Sequence, residues 1–125
     1  MFNWEINLNL GCEMDFPIDK KAFDKFIEES NIFGLTKDAL YQCLKNWYDE
    51  EPKQFVEELR ADFNTVMKTY HFKNTMVSFN KNINFEPPLD TISGKITIYD
   101  SDESYCMSYG AIFDYDLNVI DDVIC

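Results

Sequence analysis

Hydrophobic and polar residues alternate from Phe2 to Leu10. Phe2, Trp4, Ile6, Leu8 and Leu10 share one parity; Asn3, Glu5, Asn7 and Asn9 share the other. A period of two predicts a half-buried strand, which Gly11 ends. The period then lengthens. Ala22, Phe23, Phe26 and Ile27 form an apolar stripe at helical spacing and predict a helix from about Asp19 to Ser30. Residues 31–35 read as a connection. Thr36 suits an N-cap, Asp38 suits the first turn after it, and Leu40, Leu44 and Trp47 continue one stripe. Pro52 suits the first position of a third helix, in which Phe55, Leu59, Phe63, Val66 and Tyr70 recur at 3.6 spacing, with Val56 and Met67 widening the face; it should stop near His71 or Phe72.

Alternation then returns. Val77, Phe79, Ile83 and Phe85 share a parity interrupted by Lys81, and Pro87-Pro88 ends that run. Ile92, Ile96 and Ile98 mark the next strand, residues 100–104 a hairpin turn, and Tyr105, Met107, Tyr109, Ala111 and Phe113 one face of the strand after it. Asp116-Leu117-Asn118 reads as a second turn and residues 119–124 as a last short strand, a C-terminal helix over 116–124 being the rival. One strand, three helices and three or four further strands predict an α+β fold: a single domain over residues 1–125, an antiparallel sheet with helices packed on one face, the N-terminal strand joining it.

At 125 residues and 46% apolar content, the chain buries roughly two-thirds of its unfolded surface, enough to fold without disulfides or metal. Cys12, Cys43, Cys106 and Cys125 are irregularly spaced and contain no Cys-x-x-Cys. The opening Met1-Phe2-Asn3-Trp4-Glu5 has no basic region followed by an apolar run, and no apolar stretch approaches the ~20 residues of a membrane span. The expectation is a reduced, cytoplasmic protein.

Charge changes the picture most. The net charge is −12. Residues 1–51 carry eleven acids and five bases, residues 52–86 four acids and five bases, and residues 87–125 eight acids and one base, Lys95. With a single arginine, Arg60, the chain is a poor binder of nucleic acid or of anionic membranes. A basic protein is the natural partner. The C-terminal acids interleave with aromatic rings, and acid beside tyrosine is a contact chemistry for such a partner. The candidate partner-binding residues are Tyr99, Asp100, Asp102, Glu103, Asp114, Tyr115 and Asp116. Tyr105 and Tyr109 are anchors only if their rings are exposed, since they share parity with Met107.

Other chemistries have little support. His71 is the only histidine, so any Cys-His pair needs it, and neither Cys43 nor Cys106 lies in a nucleophile-loop context. The four glycines are too far apart for a phosphate loop. Asp100-x-Asp102-x-Ser104 and Asp114-x-Asp116-x-Asn118 imitate the start of a calcium loop, but the sixth positions are Tyr105 and Val119 and the twelfth are Ala111 and Cys125, where glycine and glutamate are needed. Asp, Ser and Asn in hairpin turns more often bond their own backbone. Paired carboxylates across a cleft are not specified by any pattern. No catalytic residue, metal or cofactor is expected.

In size, charge and predicted architecture the chain resembles bacterial immunity proteins that neutralise a cognate toxin, often a basic nuclease. The resemblance covers no motif and carries over no residue; it implies a non-catalytic inhibitor acting by occlusion. The alternatives are a phage-encoded nucleic-acid mimic that blocks a host defence nuclease, of the anti-CRISPR or anti-restriction type, and, third, a small-molecule-binding or enzymatic domain around His71, Cys43 or Cys106. Asn, Lys and Ile usage is compatible with an AT-rich bacterial or phage genome.

Overall fold

The computed structural model describes residues 19–124, and the expected strand over residues 2–10 lies outside them. The chain divides into two units, Met1–Ser30 and Asn31–Cys125. The described part of the first is helix α1, Lys20–Ser30. Asp19 caps it by accepting a hydrogen bond from the Lys21 N–H at 2.9 Å, and Lys25 pairs with Glu29 one turn on at 3.7 Å.

The second unit is mixed α and β. Helices α2 (Ile32–Glu50), α3 (Pro52–Leu59) and α4 (Phe63–Thr69) precede strands β1 (His71–Asn82), β2 (Leu89–Tyr99), β3 (Tyr105–Phe113) and β4 (Val119–Ile124). The strands form an antiparallel meander in the order β1-β2-β3-β4. Residues 119–124 are therefore a strand and not a helix.

One sheet face is the core face. Ile92, Ile96 and Ile98 of β2 sit opposite Phe113, Tyr109 and Met107 of β3, and all six are buried. Helix α2 lies against these two strands through Ile32, Thr36, Leu40 and Leu44, spaced four apart and fully buried. Phe55 and Leu59 of α3 and Val66 of α4 complete the buried apolar set on the helical side. Phe55 is held edge-on by Trp47 and Tyr48, each with its ring centroid 5.1 Å away.

Three expectations change. Helix α2 starts at Ile32, so Thr36 is an interior residue and not a cap. Its hydroxyl donates to the Ile32 carbonyl at 2.8 Å, which satisfies a polar group that is fully buried against the sheet. The helix expected from Pro52 to His71 is two helices. Arg60 takes a left-handed conformation (φ 61°) and ends α3, and Asp62 restarts the chain by capping the Thr65 N–H at 2.8 Å. Strand β1 begins at His71, six residues before its apolar alternation does, and ends at Asn82. Ile83 and Phe85 lie beyond it in the connecting turn, 77% and 52% exposed.

The two later hairpin turns share one design. Asp100 Oδ1 accepts from the Asp102 and Ser104 N–H groups, and Asp114 Oδ1 from those of Asp116 and Asn118, every bond being 2.9 Å. The fourth residue of each, Glu103 (φ 64°) or Leu117 (φ 66°), is left-handed, the position glycine usually fills in this loop. Glu103 is exposed, so its strain is offset by no packing. Glu103→Gly is expected to raise stability by about 0.5–1 kcal/mol, read by urea unfolding; a destabilised variant would show that the Glu103 side chain makes a favourable interaction.

Candidate acidic contact surfaces

The candidate contact residues fall at opposite ends of β3. This strand has nine residues, so at ~3.4 Å per residue the turns flanking it are separated by roughly 27 Å. Tyr99, Asp100, Asp102 and Glu103 belong to one pole; Asp114, Tyr115 and Asp116 belong to the other.

At the first pole much of the acid is already compensated. Asp100 Oδ2 accepts from Arg60 Nη2 at 3.1 Å, and with Oδ1 bound to the turn backbone its side chain is only 14% exposed. Arg60 also reaches Cys106 Sγ at 3.8 Å. Lys73 lies 4.8 Å above the Tyr99 ring, in cation–π range. Asp102 and Glu103 remain exposed.

Tyr105 is 57% exposed and does not follow Met107 into the core. The register of β2 against β3 shifts between Ile98 and Tyr99, so that Tyr99 faces Tyr105 and Cys106 is the extra residue of a bulge. The extra residue reverses the parity. Tyr105 stands beside Tyr99, ring centroids 6.2 Å apart and edge-on, and its hydroxyl lies 3.3 Å from that of Ser108 on the face away from α2. Tyr109 keeps its core position and is fully buried.

The second pole has less compensation. Asp114 is a turn-former like Asp100. Hydrogen bonds from Asn118 and Asp116 hold its carboxyl below the usual carboxylate range. A depressed folded-state pKa means that this contribution to stability is complete above the ordinary aspartate value near 4 and is lost as pH falls through the lower folded value. Asp62, held down by its bonds with Thr65, acts in the same direction. Urea midpoints measured from pH 5 downward should fall more gently in Asp114→Asn than in the parent; parallel curves would show that Asp114 does not contribute. Asp116 is exposed, and Tyr115 is 59% exposed. The base near this pole, Lys81, is bound to Asp90 at 2.6 Å, which together with Tyr115 raises its pKa. Ile83, Phe85, Val119 and Ile120 add exposed apolar area in the turns and strand around it. Strand β4 follows directly, with Asp121 and Asp122 exposed.

The alternative reactive residues are not assembled. His71 is exposed at the start of β1, opposite Tyr99. Cys43 lies on α2 near Tyr109 and Asp122, and burial first, then the Asp122 charge, pushes its thiol up, away from the thiolate a nucleophile needs. The Tyr109 hydroxyl donates to Asp122 Oδ2 at 2.8 Å; burial and this bond raise its pKa and keep it protonated. Cys106 is beside Arg60. Among the described residues no group of three His, Cys, Asp or Glu side chains is placed to hold a metal ion, and no helix is long and apolar enough to cross a membrane. On the sheet face away from α2 lies a groove of about 210 Å³, with Met76, Lys95, Ile112 and Val123 on its walls and Gly110 in its lining.

Comparison of the chain with protein-family models, curated proteins and solved structures finds no match.

Proposed function

We propose that this protein is a non-catalytic inhibitor that binds a basic protein. More narrowly, we propose a bacterial immunity protein that acts in the cytoplasm on a cognate toxin, a basic nuclease being the class its charge suits. The observation that carries this reading is the surface running from the β3–β4 turn into β4. There Asp116 and Asp121 are exposed beside exposed Tyr115, Val119 and Ile120, and the neighbouring base, Lys81, is already paired. Carboxylates give such a surface steering and specificity, and the apolar residues give it contact area. The mechanism is occlusion: carboxylates engage the lysines and arginines the toxin needs for RNA or DNA. Asp102 and Glu103, with Tyr99 and Tyr105, form a second and weaker surface because Arg60 and Lys73 lie within it. Clustering at two poles suits a local patch better than it suits a nucleic-acid mimic, which needs carboxylates in long rows. The raised Cys43 thiol and the scatter of His71, Cys43 and Cys106 favour inhibition over catalysis.

Tagged protein should retain one stoichiometric basic protein from the source cell at low salt and release it at high salt. With that partner in hand, Asp116→Lys/Asp121→Lys should slow association at low salt by about 10- to 100-fold, and Asp102→Lys/Glu103→Lys by less. Unchanged on-rate and affinity in both variants would remove the acidic surfaces from the interface. Retention of no protein by folded bait would end the inhibitor reading.

A further inference from the structure

Strand β4 ends the order of described strands, and all six of its residues are exposed. An edge strand offers a row of backbone N–H and C=O groups to any extended segment that can pair with it. Val119, Ile120, Val123 and Ile124 are each 40–50% exposed. Such a strand is an aggregation hazard unless guarded, and the guard here is charge. Asp121 and Asp122 occupy its middle. The Asp122 N–H is taken by Asp121 Oδ1 at 2.8 Å, which withdraws one ladder donor, while the Asp122 carboxylate is anchored on the Tyr109 hydroxyl.

We propose that β4 is the docking element for the basic partner, and that an extended segment of that partner adds to its edge as a further strand with a lysine or arginine against Asp121. This rests on the inhibitor reading and goes further by naming the recognised element and the form of its ligand. Charge decides between occupants. A second copy pairing antiparallel about residues 121 and 122 brings four carboxylates together, which like-charge repulsion opposes. A basic segment meets the opposite field, and a cation that draws the Asp121 carboxylate toward itself frees the Asp122 N–H to enter the new ladder. The guard against self-association thus becomes the selector for the partner.

The face away from α2 provides room for the incoming side chains. Val123 lies opposite Gly110, at the groove that Met76 and Ile112 also line. A Cβ built on Gly110 would meet nothing nearer than the Gly94 carbonyl oxygen at 3.9 Å, so internal packing does not require glycine there. A glycine inside a strand weakens it, and its usual compensation is close approach by another group. An apolar side chain on the added strand can lean over Val123 toward that gap.

The test uses the whole protein, labelled with ¹⁵N, and two probe peptides of equal charge and length, one alternating lysine with valine and one alternating lysine with glycine. Binding is read from amide shifts and hydrogen exchange. The lysine–valine peptide should bind more tightly and slow exchange of β4 amides, Asp122 included, by at least about ten-fold. Asp121→Lys should abolish that protection and transfer it to a glutamate–valine peptide, a reversal that mere loss of structure cannot produce. Lysine–valine binding that shifts residues around Asp102 and Glu103 while β4 exchange stays unchanged overturns docking at β4 and leaves the basic-partner reading standing. Equal binding of both lysine peptides also overturns it, since strand-forming tendency and apolar side-chain contact then contribute nothing and charge alone accounts for the binding. If neither peptide binds, the docking proposal fails, and retention of a basic protein by the tagged bait decides the wider reading separately.

Discussion

Gly94→Ala should destabilise the unit that begins at Asn31 by about 2–3 kcal/mol, although it adds a single methyl group. Gly94 lies in the middle of β2, between Val77 and Ala111 of the flanking strands. A Cβ placed on it comes within 2.2 Å of Thr36 Oγ1 and 3.3 Å of Thr36 Cβ. Thr36 has no easy escape. Its hydroxyl is bonded to the Ile32 carbonyl, and its β-branched side chain has few rotamers in a helix. Either α2 lifts from the sheet or the strand bows, and both loosen the contacts of Leu40 and Leu44. Thr36→Ala removes the closest atom, so Gly94→Ala should cost at least about 1 kcal/mol less in that background. Strict additivity in urea unfolding of the four proteins would show that the Thr36–Gly94 contact is not the cause.

Phe55→Ala should cost about 3–5 kcal/mol. Phe55 is fully buried, meets Trp47 and Tyr48 edge-on, and has Phe63 tilted against it at 6.4 Å. It therefore connects three helices: its own eight-residue α3, which is too short to persist alone, α2 and α4. The Trp47 indole N–H also donates to Gln54 at 3.1 Å, so loss of α3 should change tryptophan emission as well as helical circular dichroism. A cost below about 1 kcal/mol would mean that α3 contributes little to the core.

The meander was legible because its turns and its apolar alternation agree. Residues 100–104 supply one turn and residues 114–118 the other, and Ile96, Ile98, Tyr109 and Phe113 have the parity the core face requires. What escaped was decided by contacts distant in sequence or by backbone conformation. Thr36 reads as a cap because threonine is a good one; only its position against Gly94, 58 residues later, makes it a core residue. The break at Arg60 is concealed by an apolar stripe that continues across it, although Asp62, a cap-former in the middle of the apparent helix, was an available sign. The first half of β1 has no alternation to detect. Strand parity leaves the exposure of Tyr105 open, because a bulge leaves no mark in the pattern of polar and apolar residues. The acids of the candidate surface were legible as residues but not as free charges. Arg60 neutralises Asp100 across 40 positions of sequence, and Lys73 covers Tyr99 across 26.

The matched construction of the two β-turns separates shape from identity. Asp100 and Asp114, each with a left-handed residue at the fourth position, set the backbone path, and Ser101-Asp102 in one turn and Tyr115-Asp116 in the other are tips mounted on a common socket. Tips can therefore be exchanged between sockets, or replaced, while the meander keeps its register. Substitution in the tips can thus change what the loops present to solvent while the scaffold that carries them stays unaltered.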